Sequence, residues 1–394
     1  HLLGYYTGAK IMPTMRGLGL LPLFFSIVIF FSMLKEKNKP RVWIGVMLFC
    51  FMLSACSFIV LTSPHDTDAL GRSSFTYNVY ILTYYFVYFF VGYKFQVKKN
   101  WEKWVLLIWI IMEINLLLNY DFSGFRISLA LFDADKKGIY LFLGDSFAIW
   151  TFLVLALLKK KPFVSFIAIL CAIISLFSFI SRSSLYAFIL VLPLIFLFIR
   201  KSYKYLVIFA LLIILFLSPF IPIFMETNKR MFAFQDLSAD SSVARRKYLY
   251  EEGIYAISQN WFTGNYLGQL RYGNLSSYIH NYLSLWRQFG FVPFFIFLVL
   301  IGYLLVQIGL HLFGLLRYDE FSSESIFLIV GGCYCLIEII AARSYGSPYI
   351  WFFIGMAVKY SGSYPWPSPK IPLKNMNLAT ELNNYYKQDS LSKF

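Results

Sequence analysis

The sequence predicts an all-α, polytopic integral membrane protein, and three observations carry that prediction. Mean hydropathy is +0.64, and 14% of residues are charged, well under the roughly one quarter of soluble domains. Eleven apolar runs approach the roughly 17–25 residues that span a bilayer as helix. Lysine and arginine cluster in alternate connections between those runs, as the positive-inside bias requires.

Taken in order, the run near 18–34 is followed by Lys35, Lys37, Lys39 and Arg41. A basic cluster, with no small-residue cleavage site, makes it a span and not a signal peptide. Runs near 42–62 and 77–93 flank the acidic connection of Asp66 and Asp68, and Lys94, Lys98, Lys99 and Lys103 follow. The run near 104–118 leads to a connection holding Asp121, Asp133 and Asp135, and the run near 139–158 ends at Lys159, Lys160 and Lys161. Runs near 163–180 and 184–199 are joined by a very short turn and followed by Arg200, Lys201 and Lys204. After the run near 204–223 comes the large loop 224–289, and runs near 290–316, 325–342 and 348–360 close the set. The lysine-rich connections are cytoplasmic by this pattern, which places 224–289 and 343–347 outside and the tail inside. Residues 1–223 thus form the first part of a transmembrane bundle, 224–289 a large outer loop, 290–360 the last helices and 361–394 a cytoplasmic tail. The outward start of the chain leads us to expect one further helix ahead of residue 1, and about twelve in the full protein.

Composition also narrows function. The formal net charge of +15 suggests nucleic acid at first sight, but 20 of the 35 basic residues fall in the inner connections, the tail and the inner end of the last run, where topology anchoring accounts for them. No nucleic-acid partner is expected. The five cysteines lie in apolar runs without metal-ligand spacing, and no paired carboxylates suggest a divalent ion, so neither metal nor cofactor is expected. Sequence repeats, which would favour a transporter of symmetric halves, are not evident.

Chemistry concentrates in 240–293, which reads DSSVARRKYLYEEGIYAISQNWFTGNYLGQLRYGNLSSYIHNYLSLWRQFGFVP. Ser241 or Ser242 can cap a helix over 243–258. A second helix is expected from about Ser277, continuing into the membrane run at 290. Arg245 and Arg246 sit in the first turn of the former, against the preference set by the helix dipole. Such a violation suggests a functional position, and two guanidinium forks beside free N–H groups make a phosphate site. Arg271 and Arg287 lie in the same loop, while Arg182 and Arg343 sit in short outer turns. Snorkelling to headgroups is the plain alternative for these arginines.

His280, next to Asn281, is the one histidine placed among these arginines in sequence. Neighbouring cations depress its pKa and keep the ring neutral, as a proton acceptor needs. The intramembrane carboxylates Glu113, Asp145 and Glu338 each stand alone in a segment, and structural pairing with Arg182 or Arg343 outweighs a proton pathway. Among the loop aromatics, Tyr248, Trp261, Tyr272 and Tyr278, with Asn281, are candidates to stack on and hydrogen-bond a glycan. An interfacial aromatic belt is the alternative.

The motif SRSSL at 181–185, the outer stretch SSVARRKYLYEEGIYAISQNWFTGNYLG and the following IHNYLSLWRQFGF together resemble the O-antigen polymerase and O-antigen ligase superfamily. The resemblance covers topology and about 80 residues of motif. It departs from the ligase pattern of His-Asn followed by Gly-x-x-Gly: Gly290 comes a residue early and Pro293 stands at the second glycine, which favours the polymerase. The resemblance implies a metal-independent, inverting glycosyltransferase of the bacterial inner membrane with its active site in the periplasm. Its substrate would be an oligosaccharide on undecaprenyl diphosphate, and a chain-length regulator and a flippase would be possible partners. Arg182, Arg245, Arg246 and Arg271 would hold the diphosphate, with Arg287 and Arg343 as further candidates, and His280 would take the proton of the attacking sugar hydroxyl. A ligase or protein O-oligosaccharyltransferase shares this chemistry; a polysaccharide flippase is the alternative of another class.

Overall fold

The computed structural model describes residues 20–34, 40–63, 66–67, 73–98, 100–121, 126–127, 139–179, 181–198, 241–272, 279–317, 322–344 and 346–362. The expected span near 204–223, the start of the outer loop and the C-terminal tail lie outside these residues. The regular elements of the described chain are helical apart from one two-residue antiparallel ladder, and Thr67 and Ser73 form an isolated bridge. In order it comprises α1 (Leu20–Leu34), α2 (Pro40–Thr62), α3 (Ser74–Lys94), α4 (Trp101–Leu118), β1 (Tyr120–Asp121), β2 (Arg126–Ile127), α5 (Ile139–Leu157), α6 (Pro162–Ser178) and α7 (Arg182–Phe198). Then follow α8 (Ser241–Gln259), a 3-10 turn (Gly268–Tyr272), α9 (Leu283–Phe289), α10 (Phe291–Arg317), α11 (Ser323–Ala341) and α12 (Tyr349–Ser361).

Helices thus occupy ten of the eleven apolar runs. Among the described residues, three stretches, Pro40–Thr62, Phe291–Gly314 and Ser323–Ala341, are long and apolar enough to cross a membrane. Leu141–Leu157, Pro162–Ser178 and Arg182–Ile195 are shorter apolar helices. Large apolar side chains such as Met47, Phe58, Trp104 and Leu190 stand exposed on the bundle. That surface is unfavourable in water and suits a lipid environment.

The packing has a centre. α3 lies along α12, and α11 touches α5, α7, α10 and α12. Close approach of α3 and α12 depends on two glycines. A Cβ on Gly92 would overlap the Phe352 carbonyl, and one on Gly355 would overlap that of Phe89. Small residues at such crossings let backbones meet, and dispersion then does the work that hydrophobic burial does in water. Around the crossing, Trp351 is enclosed by Phe49, Tyr85 and Phe297, with ring centroids 5.7, 4.4 and 5.2 Å away.

The two ends of the bundle carry different polar contacts. At one end, the Val97 N–H donates to Glu324 Oε1 at 2.7 Å, Lys359 Nζ donates to the Phe95 carbonyl at 2.6 Å, and Lys161 pairs with Glu102. At the other end lie the first turns of α3, α5, α7 and α12 and the last turn of α11, where the candidate site is found.

Candidate functional site

The first element is a buried polar cluster assembled from three helices and a turn. α11 presents Tyr334 and Glu338 four residues apart, hence on one face, and Arg343 follows just past its end. α5 contributes Asp145, and the start of α7 contributes Ser183 and Ser184. Arg343 grips Asp145 with both arms: Nε donates to Oδ2 at 2.6 Å and Nη2 to Oδ1 at 2.7 Å. Oδ1 also accepts from Ser184 Oγ at 2.7 Å and Tyr334 Oη at 2.8 Å. Ser184 Oγ accepts in turn from Arg343 Nη2 at 3.0 Å. All of these groups are buried. A charge pair taken out of water is tolerated only with such geometry, since desolvation otherwise exceeds the Coulombic gain.

Beside this satisfied pair lies an unsatisfied one. Glu338 Oε2 is 3.3 Å from Arg343 Nε, within ion-pair range, yet neither Glu338 oxygen makes a hydrogen bond. Arg343 Nη1 has no acceptor, and Ser183 Oγ, next to Glu338, forms no well-aligned bond. Leaving each such group unmet costs about 1–3 kcal/mol. Four open polar atoms on three adjacent residues therefore mark a place built to receive polar atoms.

The second element is the loop segment that approaches this cluster. Its turn 261–272 is stitched to α9: the Asn265 N–H donates to the Arg287 carbonyl at 2.6 Å, Leu267 N–H to Gln288 Oε1 at 3.1 Å, and Trp286 Nε1 to the Trp261 carbonyl at 2.7 Å. Gln288 also bonds Gln269. Asn78 on α3 donates to Tyr266 Oη at 3.1 Å and ties the turn to the bundle. Gly290 has φ +78, and a Cβ there would overlap the Phe262 carbonyl. The expected continuous helix from 277 into the membrane run is therefore two: residues 279–282 are not helical, α9 starts at Leu283, and the chain breaks at Gly290 before α10.

His280 and Arg246 join the two elements. The His280 pKa falls from 6.5 to about 4, first through burial and then through the charges of Arg246 and Arg343. Arg246 also acts electrostatically on Glu338. The direction is that expected from the sequence, but it goes far: the ring is neutral at pH 7 and only a weak proton acceptor.

The remaining predicted residues are placed as follows. Arg182 opens α7 half-buried, and Tyr186, one turn on, feels its charge. Arg245 is exposed, its guanidinium 5.4 Å from the Tyr248 ring. Arg271 is exposed on the 3-10 turn. Arg287 is buried against α8, where a Cβ on Gly253 would meet its Cδ at 3.7 Å. Of the six arginines, Arg246 and Arg343 are the two whose charges lower the His280 pKa. Asn281 Oδ1 accepts from the Leu283 N–H at 3.0 Å and so holds the start of α9. Tyr248 and Trp261 are both exposed, 42% and 55%, and Trp261 packs edge-on with Phe262 and Phe291. Tyr272 ends the 3-10 turn, with its side chain outside the described residues, as is all of Tyr278. Helix α8 includes both Ser241 and Ser242. Tyr334, Ser183 and Ser184 do not stand out in the sequence. Their signals are faint: SRSSL holds both serines, and Tyr334 stands one helical turn before Glu338.

The chain matches no protein-family model and no curated protein. Functional inference therefore rests on the residues and their geometry.

Proposed function

We propose that the chain is a surface-polysaccharide polymerase that transfers a growing glycan from undecaprenyl diphosphate to a sugar hydroxyl of a lipid-linked repeat unit. In this reading eleven spans lie in a bacterial inner membrane, residues 224–289 form a periplasmic loop, and the site faces the periplasm. What supports it is the convergence of Arg246 and Arg343 on His280 from segments about 100 residues apart. Cations at a helix-bundle end are costly beside lipid, and holding a diphosphate gives them a purpose.

Arg246 would meet the diphosphate and stabilise the charge that grows on it as the glycosidic C–O bond breaks. Arg343, already engaged by Asp145, would keep its remaining Nη1 arm for the acceptor. His280, neutral at pH 7, would accept a hydrogen bond from the acceptor sugar and so help to orient its attacking hydroxyl toward the anomeric carbon. Attack opposite the leaving diphosphate inverts that carbon. The shifted Gly290 and Pro293 favour a repeat unit as acceptor over the ligase alternative.

The test is the lipopolysaccharide ladder of a strain deleted for this chain and complemented with variants. A polymerase defect leaves lipid A–core bearing one repeat unit, and a ligase defect leaves it bare. A flippase would tolerate His280→Ala.

A further inference from the structure

The open polar atoms differ in kind, and that difference identifies what they take. Arg343 Nη1 is a donor lacking an acceptor, the two Glu338 oxygens can accept, and Ser183 Oγ can do either. A phosphate, which at neutral pH mainly accepts, would suit Arg343 but leave the Glu338 oxygens unmet. A hydroxyl both accepts and donates, so it can satisfy the guanidinium and the carboxylate together. Glu338 is 4% exposed and Arg343 8%, so bulk water does not meet these needs freely.

Resting on the polymerase reading, we infer that Glu338, Arg343 Nη1 and Ser183 form the subsite for the acceptor sugar's hydroxyl, and that Glu338 receives its proton. The hydroxyl oxygen, held by Nη1, bonds to the anomeric carbon of the donor glycan. The bond from that carbon to the diphosphate oxygen breaks, its electron pair leaves with the diphosphate, and the hydroxyl proton passes to the Glu338 carboxylate. Asp145, Ser184 and Tyr334 act as positioning residues, because their bonds hold the guanidinium with Nη1 turned away from Asp145. This division leaves the diphosphate to Arg246 and gives His280 an orienting part.

The experiment uses the full chain in lipid nanodiscs with lipid-diphosphate-linked oligosaccharides extracted from a strain deleted for it. Initial rates of chain extension are followed for wild type, Glu338→Gln, Glu338→Asp and His280→Ala, together with each protein's melting temperature. The inference expects Glu338→Gln to lose at least 100-fold in kcat, with KM for the lipid-linked donor within about threefold and melting unchanged. Glu338→Asp, which keeps an acid one methylene back, should recover at least a tenfold part of that loss. A Glu338→Gln rate within threefold of wild type overturns the inference while leaving the polymerase reading in place. Should Glu338→Gln melt early, Glu338→Asp decides: native melting with no more activity than the glutamine variant overturns it as well. Failure of the wild-type chain to extend the oligosaccharide overturns the polymerase reading, and the subsite with it.

Discussion

Arg343 and Asp145 are joined side-on, Nε to Oδ2 at 2.6 Å and Nη2 to Oδ1 at 2.7 Å, inside the bundle end. The pair ties α5 to the turn after α11, and through Ser184 it reaches α7. Removing one partner of a buried pair leaves an uncompensated charge, at a cost of about 3–5 kcal/mol. Arg343→Gln should destabilise the chain by that order, and Asp145→Asn by less, because Glu338 remains within ion-pair range of Arg343. The double variant should cost less than the two together, because the groups act as a unit. Thermal melts in detergent check this; strictly additive losses would mean that the pair does not couple.

Tyr334→Phe removes one donor from Asp145 and little else. A hydrogen bond to a charged group contributes about 1.5–3 kcal/mol. Melting should drop by less than for Asp145→Asn, and glycan extension should fall through misplacement of Arg343 with no change in protein level.

The shifted histidine makes stability depend on pH. Folded His280 takes up a proton near pH 4, against 6.5 as the ordinary value. Between those values the unfolded chain binds more protons, so stability falls as pH drops from about 6.5 toward 4. Replacing His280 with Gln should flatten that part of the melting-temperature profile. Arg246→Ala should raise the folded ring's pKa, by removing a charge that depresses it. The pH window over which stability falls should then narrow from its acid end.

The glycine crossing supplies a sharp contrast. Gly92→Ala and Gly355→Ala each drive a methyl into a backbone carbonyl of the facing helix. Each should cost about 1–3 kcal/mol or more as the helices separate. At Gly302 on α10 an added methyl would meet nothing within 4 Å, so Gly302→Ala should be neutral or stabilise by about 0.5–1 kcal/mol. Comparative melts of the three variants decide it.

How far the sequence could lead is clear from particular residues. The ten helices in apolar runs were legible because length and hydropathy suffice for them. That Asp145 and Glu338 would seek an arginine followed from the cost of lone charges in an apolar segment. Which arginine was not legible: Arg182 and Arg343 occupy equivalent turns, and only the contact of α11 with α5 and α7 selects Arg343. Arg245 and Arg246 illustrate the same limit. Neighbours on a helix point about 100° apart, so composition could nominate both, and only the seating of α8 turns Arg246 toward His280 and leaves Arg245 exposed. The break at Gly290 was hidden because apolar residues continue past it. Its cause is a backbone approach by Phe262, a residue distant in sequence.

The most direct test of the central claim, that Arg246, His280 and Arg343 surround a lipid-linked diphosphate and its acceptor, is gel banding of lipopolysaccharide from the complemented deletion strain. Arg246→Ala and His280→Ala, at wild-type protein level, should leave lipid A–core with a single repeat unit. A full ladder from both Arg246→Ala and His280→Ala would contradict the account.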